Sequence, residues 1–291
     1  MQESPDSQAW RDELVAGLRA LRGGEFARAE EHFDRAHRAA PDRPEVCFAL
    51  GRERLRQGRA HEAEPLLDAA WRADFSLISA GATLARCLGL HLDRMGEAHA
   101  VLDEAEARFA GDAAIEVTRA ELFVHEGRMD EAEERAASAL AACGDDAARI
   151  AARAVLARIE NTRGLGCVEA GDLESALFAF KRAADRDPAW SAPHVNTGAA
   201  FAELGRQGPA LAAYERAIEA DPTNPLAHYN LGLLLWRAGR AGEARARLQR
   251  AHELDPDDAA VARALAVLDA ACSPNSDGAP EGPGRRPPPL A

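Results

Sequence analysis

The stretch "HYNLGLLLWRAGRAGEARARLQRAHELDP", residues 228–256, has the apolar spacing of two amphipathic helices separated by a short turn. Residues 194–222, "HVNTGAAFAELGRQGPALAAYERAIEADP", follow the same pattern 34 residues earlier in the chain. Shorter copies occur further upstream, for example "AGDLESALFAFKRAADRDP" at 170–188. The sequence therefore predicts one helical hairpin that is repeated along the chain.

We count seven repeated units, which predict an array over residues 10–258 with one insertion at 147–156. The insertion is expected to add about three turns to the first helix of the unit that follows it. A short lead, 1–9, precedes the array, and we expect a capping helix at 259–272 and a disordered, proline- and glycine-rich tail at 273–291. The units span approximately 10–43, 44–78, 79–112, 113–146, 157–190, 191–224 and 225–258.

Small residues recur at fixed places in the units. Alanine occupies two positions of the second helix without exception, which predicts close contact with neighbouring helices, where larger side chains would collide. Glycine recurs in the turn because a residue just past a helix end often takes a left-handed conformation. The alanines are Ala29, Ala63, Ala98, Ala132, Ala176, Ala210 and Ala244, followed two turns later by Ala36, Ala70, Ala105, Ala139, Ala183, Ala217 and Ala251. The glycines are Gly24, Gly58, Gly127, Gly171, Gly205 and Gly239.

The last unit contains the residues of a known repeat signature, namely Gly232, Gly239, Ala244, Leu248, Ala251 and Pro256. This pattern resembles the tetratricopeptide-repeat (TPR) family, and the resemblance covers roughly residues 10–258. It implies an all-α superhelical solenoid of antiparallel helix pairs, in which the first helix of each pair lines a concave groove. The third unit departs from the pattern, because Arg86 and Asp93 replace the two expected glycines. We expect a local change of curvature there.

Composition and charge narrow the class of partner. The formal net charge of −13 disfavours nucleic acid, which requires an excess of lysine and arginine, and suits a basic peptide better. No signal-peptide pattern is present at the N-terminus, and the most apolar stretch, 77–90, is too short to span a bilayer. The five dispersed cysteines lack metal-ligand spacing and fit reduced thiols. We therefore expect a cytoplasmic protein that binds neither membranes nor nucleic acid.

No motif for catalysis or for cofactor binding stands out. The glycines lie at repeat turns and do not form a phosphate-binding loop after a strand. His194 and His228 share one repeat position, where packing is the default interpretation, and two histidines without a third ligand are a weak metal site. We expect no catalytic residue, no metal and no cofactor, so the chain is predicted not to be an enzyme.

The candidate binding residues follow from the family resemblance. Asn196 and Asn230 occupy one position in consecutive units, and Asn161 lies one residue off it in the preceding unit. This arrangement is similar to the asparagine ladder with which some longer TPR proteins hold the main chain of a peptide. The residues expected to face the groove are Asn161, Asn196, Tyr229, Asn230, Leu233 and Trp236. In the alternative interpretation, the asparagines bond neighbouring helices and Trp236 packs against the capping helix.

Three functional hypotheses remain open from the sequence. The first is a non-catalytic scaffold or adaptor that binds an extended peptide or a helix of a partner protein. The alternative is a substrate-presenting regulatory arm of an enzyme complex, such as a glycosyltransferase, and the third hypothesis is self-assembly as a homo-oligomer. The family's clamp for the C-terminal carboxylate of chaperone peptides is not expected, because its basic positions fall on Leu226, Asn230, Ala260 and Ala264.

Overall fold

The computed structural model describes residues 5–74, 76–142 and 146–272, and every regular element in those ranges is helical. The tail predicted at 273–291 lies outside the described residues, as does the first part of the N-terminal lead, 1–4. No helix in the described part of the chain is long and apolar enough to cross a membrane.

The helices follow one another as hairpins. We number these hairpins from the first, α1 with α2, to the seventh, α13 with α14, and α15 follows the last of them. The helices are α1 Pro5–Arg22, α2 Phe26–Ala39, α3 Pro44–Arg56, α4 Ala60–Ala73, α5 Ile78–Arg86, α6 Met95–Arg108, α7 Ala113–His125, α8 Met129–Ala142, α9 Asp146–Glu169, α10 Leu173–Arg186, α11 Ala192–Glu203, α12 Gln207–Ala220, α13 Pro225–Arg237, α14 Ala241–Leu254 and α15 Ala259–Cys272.

The chain divides into two compact units, Met1–Val155 and Leu156–Ala291, and the division falls within α9. The sequence predicts one array over 10–258, so this division is a feature that the repeat pattern did not indicate. Helix α9 is continuous from Asp146 to Glu169 and contains the insertion, residues 147–156, within its length.

The alanine columns lie at the contacts between helices in both units. All fourteen alanines of the two columns are 0% exposed. The two helices of the seventh hairpin also lie close together, because a Cβ added at Gly232 would lie 2.8 Å from Cγ of Leu248. The six turn glycines have φ between +73° and +79°, a conformation that side chains with a Cβ rarely adopt. Small residues thus set the spacing of the helices, and a glycine sets the turn in every hairpin but the third.

Large side chains fill the space between these contacts. In the first unit, Phe33, Leu67, Leu102 and Leu122 are each 0% exposed, and Trp71 is 2% exposed. In the second unit, the core cluster combines Tyr214 and Leu248 with Val261, Ala264 and Leu268 of α15. Helix α15 therefore covers apolar surface that the seventh hairpin would otherwise leave open.

Arginines at the starts of second helices connect successive hairpins in the first unit. Arg94 contacts Glu97 of its own helix at 2.7 Å and Glu64 of the preceding hairpin at 2.6 Å. Arg59 makes the same pair of contacts, with Glu62 and with Glu30 of the preceding hairpin. These side chains are partly exposed, so each pair contributes at most about 1 kcal/mol to stability.

The third hairpin departs from the others where the sequence lacks its glycines. Helix α5 continues into a π-helical turn, Cys87–His91, and Arg94 N donates to Leu88 O over 2.8 Å across the turn that follows. Asp93 itself takes the left-handed conformation, with φ of 54°. Aspartate tolerates this region better than most residues because its short side chain is polar. The departure predicted at Arg86 and Asp93 thus takes the form of a widened helical turn.

Candidate functional site

Two of the predicted binding asparagines meet on the first helices of the fifth and sixth hairpins. Asn196 on α11 donates from Nδ2 to Oδ1 of Asn161 on α9 over 2.9 Å. Asn161 is 7% exposed, whereas Asn196 is half-buried and keeps part of its side chain at the surface. Asn196 therefore does bond a neighbouring helix, as the alternative interpretation of the sequence states.

The pair keeps hydrogen-bonding capacity beyond its own contact. An asparagine side chain offers two N–H donors and one oxygen acceptor, and the bond to Asn161 uses one donor of Asn196. Within the described ranges, no second partner of the Asn196 side chain is found. Its oxygen and second N–H are thus available to another molecule without breaking the contact between the helices.

An exposed leucine lies one turn beyond Asn161 on α9. Leu165 is 43% exposed, and Arg158 and Thr162 on the same helix are exposed as well. Residues four apart lie on the same face of a helix, so Leu165 and Asn161 share one side of α9. Leu165 was not among the binding residues predicted from the sequence, although its spacing of four residues from Asn161 indicates that it lies on the same face of the helix.

Three predicted residues on α13 are buried instead of facing an open groove. Tyr229 is 4% exposed, and Asn230 and Leu233 are each 0% exposed. Tyr229 and Leu233 belong to the core cluster that contains Val261 of α15, and Trp236 packs against this cluster while partly buried. The physical reason is that α13 packs against α12 and α14, and that α15 adds apolar side chains to the same cluster. These residues offer a ligand little surface in this structure.

The two equivalent histidines have different surroundings. His228 is 4% exposed, and its Nε2 lies 3.1 Å from the carbonyl oxygen of Pro222. His194 is half-buried and lines a cleft of about 220 Å³ between α11 and α12. Burial lowers the pKa of both imidazoles. Both rings are therefore neutral near pH 7.

Metal and thiol chemistry find little support in the described part of the chain. There, no group of three or more histidine, cysteine, aspartate or glutamate side chains is placed to hold a metal ion. Cys87 is a buried free thiol, and burial raises its pKa to about 11. Cys47 is also buried, and its Sγ donates to the carbonyl oxygen of Pro41 over 3.0 Å. Because the thiolate is the reactive form, neither thiol is suited to nucleophilic attack.

Family models match the chain in both units. A model of the tetratricopeptide repeat matches residues 20–88, a second one matches 225–258, and a model described as TPR repeat matches 198–239. The chain is a tetratricopeptide-repeat protein. The all-α fold class predicted for this TPR protein is thereby confirmed, and TPR arrays are protein–protein interaction modules.

Solved structures resemble this TPR protein in fold. A tetratricopeptide repeat protein from Parabacteroides merdae matches with a TM-score of 0.56 and 16% identity, over 90% of this chain and 99% of that chain. The human IFIT1 dimer with m7Gppp-AAAA matches with a TM-score of 0.61 and 16% identity, over 84% of this chain and 59% of that chain. The APC/C hetero-tetramer Cut9-Hcn1 matches with a TM-score of 0.55 and 16% identity, over 90% of this chain and 47% of that chain.

Identities this low show a shared fold and nothing about shared ligands. This TPR protein also spans only about half the length of the Cut9-Hcn1 chain that it matches, 47%. No curated protein matches the sequence.

Proposed function

We propose that this TPR protein is a non-catalytic scaffold that holds an extended segment of a partner protein along the first helices of its fifth and sixth hairpins. The observation that supports this most is the 2.9 Å hydrogen bond between Asn196 and Asn161, which fixes two side-chain amides next to each other. The N–H and C=O groups of an extended main chain recur whatever its side chains are, and paired amides suit such a regular pattern.

Leu165 supplies an apolar contact beside the amides. Its side chain is 43% exposed, and covering that surface stabilises a complex by about 1 kcal/mol. Trp236 on α13 is partly buried against the core cluster, and in this proposal its exposed part offers the partner a rigid aromatic contact. Tyr229, Asn230 and Leu233 support α13 from within the core.

The charge of the chain sets the class of partner that we propose. A net charge of −13 favours a basic segment, because electrostatic complementarity speeds association and suppresses wrong partners. The same charge opposes phosphate binding, so nucleic acid is not part of the proposal. We keep a cytoplasmic location in the proposal, because the described cysteines, Cys47, Cys87 and Cys167, are free thiols.

The test compares the wild-type protein with the double variant Asn161→Ala/Asn196→Ala. Partners are captured from lysate and identified by mass spectrometry, and the affinity of a peptide from the captured partner is then measured by fluorescence anisotropy. Losing the paired amides is expected to weaken binding by about 5- to 150-fold. Removing both partners of one hydrogen bond leaves neither unsatisfied, so the melting temperature should change little.

The matched control is Gln249→Ala, which removes an exposed amide from the second helix α14 and should leave the affinity unchanged. Equal affinity of the wild type and a well-folded double variant contradicts the proposal. Co-purification of a fixed catalytic subunit would instead identify a regulatory arm of an enzyme complex, and a mass that rises with concentration in light scattering would identify self-assembly.

A further inference from the structure

The first and fifth hairpins share an ion pair between their two helices. Glu13 on α1 lies 3.0 Å from Arg35 on α2, and Glu160 on α9 lies 2.5 Å from Arg182 on α10. The arginine follows the glutamate by 22 residues in both hairpins. Glu160 is only 3% exposed, so Arg182 neutralises a carboxylate that the fold has taken out of water.

The fourth hairpin makes a variant of this pair. Glu116 on α7 is 4% exposed, and its carboxylate lies 3.2 Å from Arg135 on α8, which follows it by 19 residues. His32 occupies the position of Arg135 in the first hairpin and contacts Glu13 at 2.6 Å. A carboxylate on the first helix facing a cation on the second is therefore a recurring element of this array.

The sixth hairpin keeps the cation and lacks the carboxylate. His194 stands 34 residues after Glu160, and Arg216 stands 34 residues after Arg182. Arg216 is exposed, and in the described part of the chain no carboxylate, including that of Glu219, makes an ion pair with it. Burial, and then the charge of Arg216, lower the pKa of His194. The charge of Glu219 opposes this shift only in part. Near pH 7 His194 is therefore neutral, and Arg216 is the one cation among the residues that line the cleft.

The space between the two helices is open at this same position. A cleft of about 220 Å³ separates α11 from α12, and most of its lining is apolar. Two lining residues, Thr197 and Ala212, are smaller than their counterparts in the fifth hairpin, Arg163 and Phe178. The cleft is lined by His194, Thr197, Phe201, Pro209, Ala212, Ala213 and Arg216.

We propose that this cleft docks an acidic side chain of a partner polypeptide, with the aspartate or glutamate carboxylate on Arg216 and an adjoining apolar side chain against Phe201 and Pro209. The partner's carboxylate replaces the one that Glu160 provides within the fifth hairpin. An arginine fork can bond both oxygens of a carboxylate, which gives the contact a defined orientation. Neither Asn161 nor Asn196 lines this cleft, so it adds a second point of attachment to the scaffold.

The charge at the cleft itself favours an acidic side chain, although the chain as a whole is acidic. Charges further apart than about 10 Å are largely screened at ordinary ionic strength, so the distant carboxylates of the chain oppose this contact little. The charge of Glu219 does reach His194, but Glu219 does not line the cleft and makes no ion pair with Arg216 in the described part of the chain. A polypeptide suits the cleft better than a free carboxylic acid, because the lining beyond Arg216 offers apolar surface and no second cation. An acidic residue next to an apolar one matches both parts of the lining.

The test is an NMR titration with two probe peptides, N-acetyl-Leu-Glu-Leu-Phe-amide and its counterpart with glutamine in place of glutamate. The Arg216 side-chain Nε–H and the His194 ring protons report occupancy of the cleft. The glutamate peptide is expected to bind about tenfold more tightly than the glutamine peptide, because it alone makes a charge-assisted hydrogen bond. Equal affinities, or no shift of these signals up to millimolar peptide, overturn the proposal.

Two variants and one control locate the effect. Arg216→Gln removes the exposed cation and should abolish the preference for glutamate. His194→Glu supplies an internal carboxylate, as in the fifth hairpin, and should abolish it by occupying Arg216 from within. The control Arg250→Gln alters the equivalent residue of the seventh hairpin, which pairs with Glu253 at 2.9 Å, and should leave the preference intact. A preference that survives Arg216→Gln also overturns the proposal.

Discussion

Two glycines on α9 provide a paired test of how closely the helices pack. A Cβ added at Gly164 would lie 2.5 Å from Cε1 of Phe180, and Phe180 is 0% exposed. A Cβ added at Gly166, two residues further along the same helix, would meet nothing within 4 Å. Gly164→Ala and Gly166→Ala therefore make the same chemical change at a closed and at an open position.

The expected effects on stability separate into two contributions. Alanine is favoured over glycine in a helix by about 1 kcal/mol, and this gain is common to both variants. At Gly164 the methyl group must also displace the ring of Phe180, and such overpacking costs about 1–3 kcal/mol. We expect Gly166→Ala to raise the free energy of unfolding by about 0.5–1 kcal/mol. Gly164→Ala should lie about 1–3 kcal/mol below it.

Urea denaturation followed by circular dichroism at 222 nm measures both variants against the wild type. Shared slopes of the unfolding curves would show that the variants differ in stability and not in the surface that unfolding exposes. Equal midpoints for the two variants, or a lower midpoint for Gly166→Ala, would refute the close contact between α9 and α10.

Three further predictions concern single side chains. Asn230→Ala should lower the free energy of unfolding by about 1–3 kcal/mol, because the side chain is 0% exposed and its loss leaves buried polar groups unpaired; a loss within error of zero in urea denaturation would contradict this. Tyr214→Phe should raise the same free energy by about 1 kcal/mol, since the buried hydroxyl has no partner among the described residues; a destabilised variant would reveal a partner. Native Cys87, with a pKa raised by burial to about 11, should resist iodoacetamide at pH 8, and mass spectrometry should find all five cysteines alkylated after denaturation without reductant. A disulfide detected in that experiment would argue against a reducing compartment.

The repeat pattern predicted the fold from a small set of residues. Positions such as Ala217 and Ala251 recur at one spacing, and periodicity shows directly which side of a helix faces its neighbours. The sequence did not predict the π-helical turn at Cys87–His91. Missing glycines show where the repeat pattern is interrupted, but they do not show which backbone conformation replaces it. The division of the chain into two units within α9 was not predicted either, because it depends on contacts between helices and the repeat period does not show these contacts.

The candidate site was only partly predictable, because repeat positions do not show which side chains come into contact. The hydrogen bond between Asn161 and Asn196 joins residues that the repeat places one position out of register, so equivalence alone could suggest the pair but not the contact. Tyr229 and Leu233 lie in a cluster to which α12, α14 and α15 all contribute, and the repeat position of a residue does not show how fully neighbouring helices enclose it. Arg216 lacks the first-helix carboxylate that its counterpart Arg182 pairs with in the fifth hairpin, and this difference depends on contacts that the sequence does not show.

Site-specific photo-crosslinking tests whether a partner protein binds along the first helices of the fifth and sixth hairpins, because it shows where a partner touches the protein. A benzophenone amino acid in place of Leu165 lies beside the asparagine pair on a first helix, and the same residue in place of Gln249 lies exposed on a second helix. After irradiation in lysate, we expect a defined crosslinked polypeptide at position 165 that is lost when Asn161 and Asn196 are both changed to alanine. Crosslinking of equal strength at both positions, or at position 165 regardless of the asparagines, would contradict it.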